Sequence, residues 1–470
     1  MKRIVILMLC CALLICIASC GQKEDTSIAS PETTSAPVST APPATTMPPQ
    51  EEITEVTEPE TTAPTPEVLR EIVSLNPFYE DRAWISYSED GTNYYGIIDK
   101  QGNILTRIKF HQNMIFTSFS NGFTNTYNYE TKTAMIIDKD GNLTYQYSEI
   151  QEIGEPKIVF NSAGILVTYV EVSDFYAVGH QYTIYGHDGN VLEQFITEQE
   201  LQQITDCGKG VIRFPRKGFL CLETYTWVSD EVTIKSYCDN PNFADSESNA
   251  GVIGVENSDT PQLVVLHTDG SVSKHPVNLP YDSLAGVTFH PICGDYLFIH
   301  DPNDYYSNHD NYVISVNLKT GDVYRIDASY REHLDPRNST PISNNGRIIV
   351  PIRGADDAFY NFIFDEHMNQ VCGPVDYFSF RKFSDSVIIG GSSSNGQIVY
   401  DKDGEIIYSL GELGYSNLMH SINDRLFYSC GVLLAYEYTN DYKPTYLDKE
   451  GNPLFDTYNF ANAKHIETTY

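Results

Sequence analysis

The chain has 470 residues, 63 acidic against 30 basic, for a formal charge of −33, and 41% of its residues are hydrophobic. That much apolar material excludes wholesale disorder. The acidity excludes a nucleic-acid binder, which needs a basic face, and electrostatic docking to anionic lipid. A chain this long ordinarily makes two or three domains, although large all-β folds run as one.

The first element is a targeting segment. Met1-Lys2-Arg3 opens it, an apolar run follows from Ile4 to Ile17, and Ala18-Ser19-Cys20 closes it. A short basic start, an apolar stretch too short to span a bilayer and small residues behind it make residues 1–19 a secretory signal. Ile17-Ala18-Ser19-Cys20 resembles the lipobox of bacterial lipoproteins, with Ile17 where Leu is usual. The resemblance implies that the signal is cut before Cys20. It also implies that the Cys20 thiol carries diacylglycerol and holds the protein on the extracytoplasmic face of a bacterial cell membrane. Two acyl chains bury enough CH₂ groups for stable anchoring, at about 0.8 kcal/mol each.

Residues 20–67 form a stalk. Between Pro31 and Pro66 stand 9 Pro and 10 Thr, with Ala, Ser and Glu as filler and no apolar periodicity. Such a segment cannot bury a core and is expected to stay disordered and extended, partly as polyproline II. At about 3.1 Å per residue it could reach on the order of 100 Å.

From residue 68 onward the texture is β-rich and one phrase returns. It reads Tyr95-Gly96-Ile97-Ile98-Asp99-Lys100-Gln101-Gly102-Asn103, then Ile136-Ile137-Asp138-Lys139-Asp140-Gly141-Asn142, then Ile184-Tyr185-Gly186-His187-Asp188-Gly189-Asn190. Weaker copies carry Asp269-Gly270 and Thr320-Gly321, one has Asn369 near the place of the Gly, and clear copies return at Asp403-Gly404 and Glu450-Gly451. β-branched and aromatic residues make a strand, and the Asp/Gly/Asn cluster supplies the positive-φ positions of a tight hairpin turn. The turn glycines at 102, 141, 189, 270, 321, 404 and 451 have two double-length gaps. One is filled by a degenerate unit over Phe219–Tyr237 with its turn at Val228-Ser229-Asp230-Glu231, the other by Phe362–Val371. The mean period is then about 44 residues, which with three or four short strands per unit is the signature of a β-propeller. Eight blades are expected over residues 68–470, with seven and nine left open. Helical candidates are minor, such as Thr197–Thr205. The phrase also resembles the WG-repeat family of bacterial proteins, with Tyr for Trp at position 95, which implies β repeats and interaction roles but no catalytic residues.

No GxSxG, HExxH, CxxC or Walker-type loop occurs, so no enzyme is expected. Gly390-Gly391-Ser392-Ser393-Ser394-Asn395-Gly396 lacks a following Lys or helix and reads as a hairpin loop. Two oxygen-rich loops are the candidates for a metal, most plausibly Ca²⁺: Asp239, Asp245 and Glu247 with Asn240 and Asn242, and Asp301, Asp304 and Asp310 with His300 and His309. Neither has EF-hand spacing, and no cofactor is required. Cys207, Cys221, Cys238, Cys293, Cys372 and Cys430 are scattered over different units, and an exported location permits disulfides among them. The expected function is that of a monomeric, lipid-anchored, non-enzymatic binding or scaffold module for a protein, peptide or glycan. A Tyr-rich rim would do the gripping; 33 of 57 aromatics are Tyr. The alternative is an extracytoplasmic hydrolase or lyase, which should bring ionisable residues from different units to one place.

Overall fold

The computed structural model describes residues 70–467 except 110, 112, 150–155, 174–177, 199–200, 202, 230–231, 238–249, 257–262, 276–278, 281–286, 302–311, 332, 335–340, 377–381, 385–386, 392–396, 417–427 and 438–442. The chain divides into two units, residues 1–65 and 66–470, and everything described belongs to the second. Cys20, the stalk, Cys238, His309 and the candidate ligands Asp239, Asp245, Glu247, Asp304 and Asp310 lie outside the described residues.

The described residues form nine antiparallel sheets that follow one another along the chain, at residues 70–109, 114–148, 157–197, 205–228, 232–275, 288–325, 342–376, 382–409 and 415–447. Each is built from four strands, and in the first eight the strands pair in sequence order. The one helix among the described residues is the single turn Ala328–Arg331. Nine sheets stand at the upper end of the range that the repeat spacing left open. The segment read as helical at Thr197–Thr205 instead closes one strand, Val191–Thr197, and opens another at Thr205–Asp206.

The repeated phrase forms the third strand and the turn into the fourth. The Asp of the phrase is a turn lock. The Asp99 carboxylate accepts from the N–H groups of Gln101 and Asn103 and from the Asn103 side chain, each at 2.9 Å. Asp138, Asp365, Asp401 and Asp448 repeat the two backbone bonds. These carboxylates replace backbone partners lost at the turn, as Asx turns do. At Asp188 the Asn190 N–H and amide hold the carboxyl below its usual range. The fourth sheet departs from the pattern. Its hairpin turn is Leu222–Tyr225, between Gly218–Cys221 and Thr226–Val228, with Tyr225 supplying a φ of 52°. Val228 therefore ends the last strand of the sheet and does not open its hairpin turn, and Asp230 and Glu231 lie outside the described residues.

A second set of hairpins joins first strands to second. Asn121-Gly122, Ala163-Gly164 and Asn345-Gly346 place two consecutive residues at positive φ, the backbone of a type I′ turn, and Cys430-Gly431 does the same between Tyr428–Ser429 and Val432–Glu437.

The core is divided among the seams between successive sheets. Trp84, Ile97 and Ile108 of sheet 1 pack on Met114, Met135 and Ile137 of sheet 2. Equivalent clusters fill each seam from sheet 2 to sheet 9. A ninth cluster joins Leu75, Ile85 and Tyr87 of sheet 1 to Val432, Leu434 and Tyr446 of sheet 9. The Tyr446 hydroxyl donates to the Asn76 carbonyl there at 2.6 Å. Turn glycines make the seams close. A Cβ on Gly141 would stand 2.9 Å from Leu105, on Gly189 2.5 Å from the Tyr145 ring, and on Gly451 3.1 Å from the Tyr408 ring, each on the preceding sheet. A Cβ on Gly102 of sheet 1 would meet Phe455, which follows sheet 9, at 3.0 Å.

The C-terminal segment then crosses the outer edge of sheet 1. Ile104 N–H donates to Asn459 O (2.7 Å) and Lys464 N–H to Leu105 O (2.9 Å), and Lys464–Ile466 adds as a parallel strand beside Thr106–Lys109. Phe460 packs on Tyr87 and under the Arg70 guanidinium. The Lys464 ammonium reaches on to sheet 2, donating to Asp140 O at 2.7 Å and Asn142 Oδ1 at 2.6 Å.

Candidate functional site

Because each sheet is antiparallel, the turns joining first to second strands lie at one end of the sheets and those joining second to third lie at the other. The polar residues at the first end come together from four sheets. Glu80, in the first turn of sheet 1, accepts from the backbone N–H groups of Asn121 (3.0 Å) and Gly122 (2.8 Å) in the first turn of sheet 2. The Lys139 ammonium stands 3.4 Å from its Oε2, and Arg82 fixes that lysine's backbone by donating to Lys139 O at 2.7 Å. In sheet 4, Asp206 accepts from the Gly208 N–H (2.8 Å) and from the Ser162 hydroxyl of sheet 3 (3.1 Å). The Ser120 hydroxyl of sheet 2 bonds to the same carboxyl. The turns of sheets 2 and 4 touch as well: a Cβ on Gly210 would lie 3.0 Å from Asn121 Oδ1.

Burial raises the Asp206 carboxyl above the usual carboxylate range, and the Glu80 charge pushes the same way. The bonds from Gly208, Ser162 and Ser120 oppose the rise without cancelling it. The set therefore offers two carboxyl groups, two hydroxyls and one ammonium. It can hold a cationic group, and the raised Asp206 carboxyl can carry a proton.

Of the residues singled out in the sequence, His300 and Asp301 stand elsewhere. Asp301 and His300 are both buried, at the opposite end of sheet 6, where the Asp301 N–H closes the hairpin onto Tyr312 O at 2.9 Å. His300 faces the seam toward sheet 7, with the Tyr312 ring edge-on at 4.9 Å. Burial alone depresses its pKa to about 4. The loop residues 238–249 and 302–311, which hold the remaining candidates, lie outside the described residues. Among the described residues, no three His, Cys, Asp or Glu side chains converge as a metal-binding group. Among the described residues, Cys221 and Cys372 are free thiols, and burial raises Cys221 to about 11.

Sequence reading missed Glu80, Ser120, Ser162 and Asp206. The available signal was their spacing of 40, 42 and 44 residues, one repeat apart and each beside a first turn.

No protein family matches the sequence, and no curated protein matches it. Among solved structures, the β-propeller domain of the Trilobed protease from Pyrococcus furiosus is similar at 10% identity and a TM-score of 0.28, over 83% of this chain and 96% of that one. A eukaryotic initiation factor gives 12% identity and a TM-score of 0.32, over 79% of this chain and 84% of that one. A puromycin-hydrolyzing peptidase of Mycobacterium tuberculosis gives 11% and 0.29, over 80% of this chain but 57% of that one. Similarity at this level bears on neither activity nor ligand.

Proposed function

We propose that the nine sheets are the blades of one closed β-propeller, held at the bacterial surface by a lipid on Cys20 and a Thr/Pro stalk, and that it binds a cationic peptide or protein segment without catalysis. The nine seam clusters support closure, since the seam from sheet 9 to sheet 1 is packed like the others. First strands of successive sheets also run beside one another from sheet 5 to sheet 8, as strands around a central axis do. The observation that carries the binding reading is the convergence of Glu80, Ser120, Ser162 and Asp206 from four sheets at one end. Residues 68–470 hold 54 acidic and 27 basic residues, a field that gathers cations. A Lys/Arg-rich peptide library presented to the protein should be retained over neutral and acidic peptides, and retention should fall with salt. Glu80→Gln with Asp206→Asn should lower affinity about tenfold or more. Retention independent of both charge and variant would refute the reading.

A second reading has one observation in its favour. Asp206, with its raised proton affinity, receives a serine hydroxyl beside a second carboxylate, a set that acid–base chemistry can use. Hydrolysis or elimination of an ester, peptide or glycan panel that is abolished by Asp206→Asn would favour the enzyme over the binding module.

A further inference from the structure

In the seam between sheets 3 and 4 an ammonium is boxed in by aromatic rings. The strand registers build the box. Phe195 stands opposite Tyr182 on Val191–Thr197, and Glu193 lies two residues away on the same face, toward sheet 4. Trp227 stands opposite Leu220 on Thr226–Val228 and faces sheet 3. The turn after Val211–Phe214 carries Lys217, whose N–H donates to Phe214 O at 3.2 Å. The Lys217 ammonium stands 3.7 Å from the centre of the Phe195 ring and 4.1 Å from that of Trp227. It pairs with Glu193 Oε1, while the Trp227 indole N–H donates to Oε2 of the same carboxylate.

The walls are backed by further rings. Tyr182 stacks on Phe195 at 5.4 Å and Phe214 meets Trp227 edge-on at 5.0 Å, and both backing rings are fully buried. The mouth is open to solvent. The Lys217 and Glu193 side chains keep 25% and 31% exposure, and Phe195 and Trp227 are half-buried.

Two π faces and a carboxylate around one cation are what recognises a quaternary ammonium group. Lys217 holds this place by being tethered, which gives it a high local concentration. Its primary ammonium is compact and strongly hydrated. A trimethylammonium group costs less to dehydrate and lays methyl groups on both rings while its charge answers Glu193. Glu193 and the acidic body around it favour a ligand of net positive charge, such as choline, over a zwitterion such as glycine betaine.

We propose that this recess binds a quaternary ammonium ligand of the choline type, and that Lys217 is a tethered plug that swings out on its flexible stem when the ligand enters. The site shares no residue with the Glu80–Asp206 set. Lys217 joins the second strand of sheet 4 to the third, at the end opposite the first turns. The proposal therefore does not depend on the cationic-peptide reading.

The test titrates choline chloride into the full-length protein and reads tryptophan fluorescence. The chain has two Trp, and Trp84 is buried, so the change reports Trp227. A saturable change is expected with choline, a weaker one with glycine betaine and none with sodium chloride at matched ionic strength. Lys217→Ala should tighten choline binding about tenfold, because the plug lowers apparent affinity by the fraction of time it fills the recess. Phe195→Leu should abolish binding. Should that variant fail to fold, Glu193→Gln decides, since it keeps the shape, removes the charge and should weaken binding about tenfold. A lysine that merely staples the two sheets gives a different result: Lys217→Ala would melt lower and bind no choline. That outcome would overturn the proposal. So would an equal response to sodium, unchanged binding in Phe195→Leu, or binding by Lys217→Ala alone, which would mean that the plug never yields.

Discussion

Asp206 carries its consequence in its protonation. The folded protein raises its pKa, so it holds that proton more tightly than the unfolded chain does. The associated stability is full below the unfolded value, near pH 4, and is lost as pH rises through the folded value. Asp206→Asn keeps an oxygen to accept from Gly208 and removes the buried charge. It should stabilise the protein at pH 7 by on the order of 1 kcal/mol and flatten the melting temperature against pH above about 4, which a calorimetric pH series would read. A variant less stable at pH 7 would show that the carboxylate's hydrogen bonds outweigh its burial. The turn glycines give a second residue-scale contrast. Gly189 and Gly321 share nearly the same backbone, φ +79° and +78°, but a Cβ on Gly189 meets the Tyr145 ring at 2.5 Å while Gly321 has nothing within 4 Å. Gly321→Ala should cost about 1 kcal/mol, the left-handed backbone alone, and Gly189→Ala about 3 kcal/mol or more because the ring must move as well. Equal losses in denaturant titrations would mean that the seam yields freely.

At the scale of elements, the sequence was most legible where one side chain both makes and marks a turn. Asp99, Asp138 and Asp448 stand out because the carboxylate that closes the turn needs a fixed offset from its glycine or asparagine. Sheet 4 was misread because Tyr225 takes the positive φ without a glycine to announce it. The first turns were written in the sequence as Asn121-Gly122 and Asn345-Gly346, but Ala163-Gly164 and Cys430-Gly431 hide the repetition. The candidate site was illegible for a related reason. Its members are alike only in repeat position, and a glutamate, two serines and an aspartate show no common motif. The C-terminal segment shows no repeat at all, yet it is the element whose loss should matter most. A chain ending at Asn452 lacks Phe455, Phe460 and the strand Lys464–Ile466, and bares Gly102, Tyr87 and the edge of Thr106–Lys109. It should lose cooperative melting across all nine sheets rather than shed one. A truncated protein with an unchanged melting profile would mean that the sheets form an open array.

At the scale of the molecule, the proposed lipid anchor and the folded body make separable demands. Cys20→Ser should release the protein from membranes and abolish labelling by fatty acid while leaving the melting curve of the body unchanged; equal labelling of the variant would refute lipidation. The body's own closure has a temporal side. Sheet 1 finds its partners on one side in sheet 2, made next, and on the other in residues 432–466, made last. A chain leaving a ribosome or a membrane pore N-terminus first therefore carries an unfinished seam for nearly its whole passage. Contacts spanning more than 300 residues, such as Tyr446 to Asn76, are entropically costly to close and slow to find. Until they form, the strand edge at Thr106–Lys109 is open to any extended segment that passes, including the same edge on another copy. Residues 455–466 thus act as a timer: they set how long the nascent protein stays vulnerable to mispairing, and a chaperone that shields that edge would be most needed in the interval before they arrive.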